Sequence, residues 1–304
     1  MSGFLWLIRR ELWEHRAFIY VPLVVGALMV AVSVLFSGEI IAALEHAHGK
    51  ITALGEEERA AIFSALIGQF AVAIALFMTF VVLLYLLDCL HAERVDRSIL
   101  FWKSLPVSDA KTVLSKLAMA MVVAPLIVLA SALFFGILEM FVLTIHFAAA
   151  GLGPWEYLWG PSRIFGTIAF LIYAVVVQAL WHFPLFAWLL LVSAFAKRAV
   201  FLWAILPPVV VIWLEKVIFD THWFADQIGE RVVGVFPLAF EFGSGGHQIV
   251  ITDEETDIEL TARLSELINP GPFLSSPALW IGLVIGALLI AAAIWVRRYR
   301  DESI

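Results

Sequence analysis

Charge is scarce in this sequence. Asp, Glu, Lys and Arg make up 15% of its 304 residues, against 62% hydrophobic residues and a mean hydropathy of +0.97. That apolar content exceeds what the core of a soluble domain requires, which excludes a soluble enzyme or binding module. Cysteine is nearly absent: Cys89 stands alone, so it forms no disulfide within the chain and indicates no redox compartment. No G-x-x-x-x-G-K-[ST] phosphate loop occurs, since the Gly49–Lys50 pair is followed by Ile51, which excludes ATP binding of that kind. The ten-residue alternating segments of a membrane β-barrel are missing too.

What the sequence does contain is long uncharged runs. They cover Ala17 to Phe36, Ala61 to Leu87, Leu117 to Leu138, Ile164 to Ala196, Ala199 to Leu214 and Pro277 to Val296, and a spanning helix needs about 20 mainly apolar residues. These runs predict an all-α integral membrane protein, residues 1–304 forming a single transmembrane domain with six transmembrane helices. The lead-in to the first run mixes Arg9, Arg10 and Arg16 with Glu11 and Glu14, which argues against a cleaved signal peptide.

Basic residues set the expected orientation. Placing both termini in the cytoplasm puts 13 of the 19 Lys and Arg residues on the inner side. They fall before the first span, in residues 88–116, at Lys197 and Arg198, and after the last span. This satisfies the positive-inside rule at every loop and predicts a multi-pass protein of a bacterial-type inner membrane, with no nucleic-acid partner.

Two segments on the predicted outer side are sizeable. Residues 37–60 read as a short surface helix, with His46 and His48 as solvated residues rather than a metal pair. Residues 219–276 read as a small outer subdomain, with a hairpin around "GSGGHQIVITDEETDIEL". There Asp253, Glu255 and Asp257 have the first spacings of a calcium loop. Ile258 and Leu264 replace its turn glycine and its bidentate glutamate, so the expectation is an acidic turn with no metal.

Ionisable and amide groups inside the spans are few. Gln69, Gln178 and His182 sit well within apolar runs, where interhelical hydrogen bonds are expected of them and a place along a transport pathway is the alternative. Glu139 lies 22 residues beyond Leu117, about 33 Å along a helix, near the outer interface. Glu215 closes the fifth span at its outer end. No midplane acid accompanies Pro184, Pro207 or Pro208, so driving energy is expected to enter from elsewhere.

The densest polar text is the predicted inner loop, "ERVDRSILFWKSLPVSDAKTVLSK", from Glu93 to Lys116. Asp96 is placed to cap a short helix from Arg97 to Ser104. Pro106 is placed to stop it, and Ser108 to cap the helix that enters the third span. The short helix is expected to expose Ile99, Leu100, Phe101 and Trp102 beside Arg97 and Lys103. Two readings remain open on the residues alone: an interfacial helix meeting lipid headgroups, or a rigid aromatic knob docking into a cytoplasmic partner.

This loop, preceded by "RRELWEHR" (Arg9 to Arg16) and set after the second of six spans, resembles the permease subunits of ABC-2 type ATP-binding cassette transporters. The resemblance implies an N-terminal amphipathic interfacial helix in residues 1–16. Phe4, Ile8 and Leu12 fit it at helical spacing. It further implies a coupling helix within the loop of residues 88–116, with Glu93, Arg94, Arg97, Phe101, Trp102, Lys103, Ser104 and Pro106 as coupling candidates. Lys197 and Arg198 would make a second, smaller contact. The implied partners are a nucleotide-binding ATPase subunit carrying ATP and magnesium, a second permease copy or sibling, and the lipid bilayer. The chain itself would not be catalytic and would bind no cofactor. The alternatives to this ATP-driven exporter are an ion-gradient-driven carrier and a non-transporting membrane scaffold.

Overall fold

Each apolar run becomes one long helix. A computed structural model describes residues 3–104, 107–160, 164–233 and 268–299. In chain order the helices are α1 (Gly3–Glu14), α2 (Ala17–Leu35), α3 (Ser37–His46), α4 (His48–Ala53), α5 (Glu56–Asp88), α6 (His91–Val95) and α7 (Ser98–Ser104). There follow α8 (Asp109–Ala118), α9 (Ala124–Ala149), α10 (Ile164–Phe195), α11 (Val200–Phe219), α12 (Trp223–Val233), α13 (Pro270–Ser275) and α14 (Pro277–Tyr299). Among the described residues 89% are helical and none forms a strand, so the backbone hydrogen bonds are satisfied within helices, as a lipid environment requires. Six helical rods are long and apolar enough to cross a membrane: α2, α5, α8 joined to α9, α10, α11 and α14.

The α8–α9 rod runs without a break from Asp109 to Ala149. It widens into one π-helical turn at Met119–Val123, just before Pro125, where the missing proline N–H leaves the ladder one donor short. At 41 residues the rod is about 60 Å long, roughly twice a hydrocarbon core. Its polar first turns therefore extend past the apolar layer at the end of the bundle that also carries α1, α6 and α7.

Packing depends on small residues that let helices approach. Ala132, Ala187 and Ala293 are fully buried in the main core, beside Phe18, Ile74 and Leu86, as expected where lipid supplies no hydrophobic drive between helices. Gly26 of α2 faces the Phe135 ring of α9 so closely that a Cβ would overlap it. The pair α10 and α14 makes the most extensive helix contact, and α11 stands apart. Only 6% of its apolar window is buried, against 22–33% for the other five spans.

At the opposite end, residues 37–53 form α3 and α4 rather than one surface helix, and pack Ile41, Leu44 and Ile51 against Phe147 and Leu152. Gly55 begins α5, where its N–H donates to Glu58 Oε2 at 2.7 Å. Of segment 219–276 the structure describes α12 and α13. The expected hairpin and the acidic turn at Asp253, Glu255 and Asp257 lie outside the described residues.

Candidate functional site

The sequence of α1 places Leu7 and Glu11 one helical turn apart on the face that packs against α8, and both are buried. Exposed on the rest of the helix are Leu5, Trp6 and Trp13, with the Arg9 guanidinium lying over both indoles, 5.2 and 4.5 Å from their centres. Glu11 is fully buried, a costly position for a carboxylate unless every oxygen is answered. Lys116 Nζ donates to both oxygens at 3.0 Å and the Tyr85 hydroxyl donates to Oε2 at 2.9 Å. Arg10 Nη2 adds a contact to Oε1.

Glu93, on α6, joins this pair to the rest of the bundle. Its Oε1 accepts from Arg10 Nη2 at 3.1 Å and lies 3.0 Å from Lys116 Nζ. Its Oε2 accepts from Arg297 Nη1 of α14 at 2.7 Å, and Arg297 Nε donates to Asp109 at 3.2 Å. Three carboxylates, Glu11, Glu93 and Asp109, thus meet three cations, Arg10, Lys116 and Arg297. The balance matters, since buried charges are tolerated when paired and become expensive when one partner is lost.

Beside the cluster, α6 and the end of α10 cap one another. The Ser193 hydroxyl accepts from the N–H groups of Leu90 and His91, both at 3.1 Å, which would otherwise be unmatched at the start of α6. In return Arg94 Nη2 donates to the carbonyls of Ser193 and Ala196, both at 2.7 Å, at the electronegative end of α10.

The short helix begins at Ser98 rather than Arg97. Arg97 adopts a left-handed φ of 60° and Asp96 Oδ1 accepts from the Ser98 N–H at 2.9 Å, so Asp96 caps as expected and the helix starts one residue later. Ser108 accepts from the Lys111 N–H and starts α8 as anticipated. Two of the four apolar side chains expected to be exposed are not. Ile99 is buried, and Trp102 is half-buried with its ring 3.8 Å beneath the Arg10 guanidinium. Phe101 and Lys103 lie on α7, Ser104 is exposed at its end, and Pro106 falls outside the described residues. Lys197 and Arg198 are exposed in the tight turn after α10, where the Lys197 carbonyl lies 3.4 Å from His91 Nε2.

Electrostatics on α1 follow the same geometry. Burial works to lower the pKa of Arg10, but Glu11, Glu14 and Glu93 outweigh it and raise it. Burial raises the Glu14 carboxyl and lowers the His15 imidazole. Glu11, Glu14 and His15 bring potential ligand atoms within 4.8 Å of one another, but both oxygens of Glu11 already serve Lys116, so a metal would have to displace an ammonium.

The polar residues of the spans are dispersed. Gln69 and Gln178 are exposed on the bundle surface. His182 Nδ1 is 2.9 Å from the Gln178 carbonyl one turn back on its own helix, and its ring also meets the Val232 backbone of α12, the interhelical contact expected of it. Glu139 lies ten residues before the end of α9 and is buried. The Ser33 hydroxyl of α2 faces its carboxyl group, and Nδ1 of His146, two turns on along α9, has no hydrogen-bond partner among the described residues. Glu215 accepts from Thr221 at 2.8 Å and from the Phe224 N–H at 2.9 Å, so it fastens the turn into α12.

Glu93 and Arg94 are legible in the sequence as coupling candidates, whereas the roles of Glu11, Tyr85, Lys116, Ser193 and Arg297 are not. The one available signal was a glutamate standing a helical turn after Leu7 in the apolar stripe of α1. Comparison with protein-family models, with curated proteins and with solved structures finds no match to this chain. The fold defines a multi-pass α-helical membrane protein with a buried ion cluster binding α1, the loop between its second and third spans, and the end of its sixth span.

Proposed function

We propose that the chain is the membrane-spanning subunit of an ATP-driven ABC-2 type exporter. It works as a dimer and couples to separate ATPase subunits, which carry the ATP and magnesium. The observation that supports this reading is the state of the loop between spans two and three. It is folded into short helices and tied through Glu93 and Arg94 to α1, α8, α10 and α14. A force applied to α7 therefore reaches four other helices through charge-assisted contacts, and paired buried charges suit a lever better than bond-making chemistry. The nearly bare α11 suits pairing with a second copy. In this reading the α1 end is cytoplasmic, as the basic residues suggest.

Isolation of the complex from native membranes tests the proposal. A soluble ATPase with a phosphate loop is expected to co-purify, and stimulation of its activity is expected to fall when Phe101 and Trp102 are replaced by Ala. A complex with no ATPase overturns the reading. One observation favours an ion-gradient carrier instead: the buried Glu139 carboxylate, with the Ser33 hydroxyl beside it and His146 on the same helix. Transport by the purified chain alone, driven by a pH gradient, would establish that second reading.

A further inference from the structure

We propose that Arg297 is the positioning residue that makes the sixth span move with the loop between spans two and three. The proposal rests on the ATP-coupled reading above and assigns a path within it.

Arg297 sits in the last turn of α14 and is 5% exposed. Its guanidinium forks between Glu93 Oε2 at 2.7 Å and Asp109 Oδ1 at 3.2 Å. These two carboxylates stand on either side of α7: Glu93 on the helix before it, Asp109 as the first residue of the helix after it. One side chain thus closes the base of the segment that carries α7. A planar guanidinium holds two carboxylates in fixed directions, which an ammonium on a flexible stem does not.

The consequence follows from the packing of α14. Its long contact is with α10, and the end of α10 is held to α6 by Arg94 and Ser193. Displacement of α7 is therefore delivered to the fourth and sixth spans together. The fifth span is left out. Its entry, Ala199, has a left-handed φ of 51°, Ala204 is its one buried residue, and Trp188 Nε1 donates to the Ala204 carbonyl at 3.0 Å. Relative motion is expected between the α10–α14 pair and α11.

The test uses the full chain with its co-purified ATPase in vesicles, with two spin-label pairs. Leu288 with Trp213 reports α14 against α11, and Ser104 with Leu35 reports the loop itself. All four positions are exposed. With ATP and vanadate both distances are expected to change in the parent protein. In Arg297→Lys, which keeps the charge and loses the fork, the Ser104–Leu35 change persists and the Leu288–Trp213 change shrinks to what α10 still passes to α14 by packing. Stimulated ATPase activity is expected to fall roughly fivefold or more relative to the basal rate, the lower range of ordinary coupling. A merely structural role would alter both distances alike in the assembled variant, and that outcome overturns the proposal. Retention of both changes at full size in Arg297→Lys also overturns it. If that variant does not assemble, Asp109→Ala opens one arm of the fork at a half-exposed residue, and an unchanged Leu288–Trp213 response there rejects the proposal. Absence of any ATPase would instead remove the functional reading on which it rests.

Discussion

Glu11 and Lys116, 105 residues apart in sequence, meet as an ion pair sealed from solvent, with Lys116 Nζ 3.0 Å from each carboxylate oxygen. Both side chains are almost wholly buried, at 0% and 1% exposure. Removing either partner unbalances the buried cluster and leaves the other with one remaining ion pair, Glu93 for Lys116 and Arg10 for Glu11, a loss of up to about 3–5 kcal/mol. Glu11→Gln and Lys116→Met are each expected to lower the melting temperature in detergent sharply. The double variant is expected to recover most of the loss, since Gln still accepts from Tyr85. Additive effects in this double-mutant cycle would show that the two groups are not coupled.

The reciprocal capping of α6 and α10 gives a second expectation. Ser193→Ala removes the acceptor for the N–H groups of Leu90 and His91, at a cost of about 1–2 kcal/mol. Amide hydrogen exchange of residues 90–95 is expected to accelerate, with α2 unchanged. Equal protection in the variant would mean that the α6 turn does not depend on that hydroxyl.

Much of this architecture is legible in the sequence because it is local. A run of apolar residues names a span, and Asp96 and Ser108 mark two helix starts to within a residue. The ion cluster is not legible, because its members are far apart in the chain and hydrophobic periodicity does not say which charge meets which. Arg297 reads as one more inner-side basic residue, and only the crossing of α14 past α8 turns it into a partner of Asp109. Trp102 reads as an exposed aromatic, and the approach of α1 covers it with Arg10.

The opposite end offers a steric prediction. Arg231 of α12 lies over the Trp181 ring at 4.3 Å, donates to the carbonyls of Trp181 and Ala278, and fits only because Gly282 has no side chain. Gly282→Ala is expected to push the guanidinium out and to cost about 1–2 kcal/mol through its lost contacts to the Trp181 ring and the two carbonyls. In an Arg231→Ala background the same change is expected to cost far less. Equal melting-temperature losses in the two backgrounds would contradict the contact.

Acid sensitivity of the α1–α2 junction follows from His15. Its ring packs edge-on against Tyr85 at 4.7 Å, and burial lowers its pKa below the usual 6.5 despite the opposing pull of Glu11. Lys116 and Arg10 also disfavour its protonated form, while Asp88 favours it. In the unfolded chain the imidazole keeps its ordinary pKa and takes up a proton first. Folded stability is therefore on its plateau above about pH 6.5 and declines as pH falls through that value toward the depressed folded pKa. Melting temperatures recorded between about pH 7.5 and 5.5 are expected to fall, with part of the fall removed in His15→Gln. A pH profile identical in the variant would show that His15 remains uncharged in both states or charged in both.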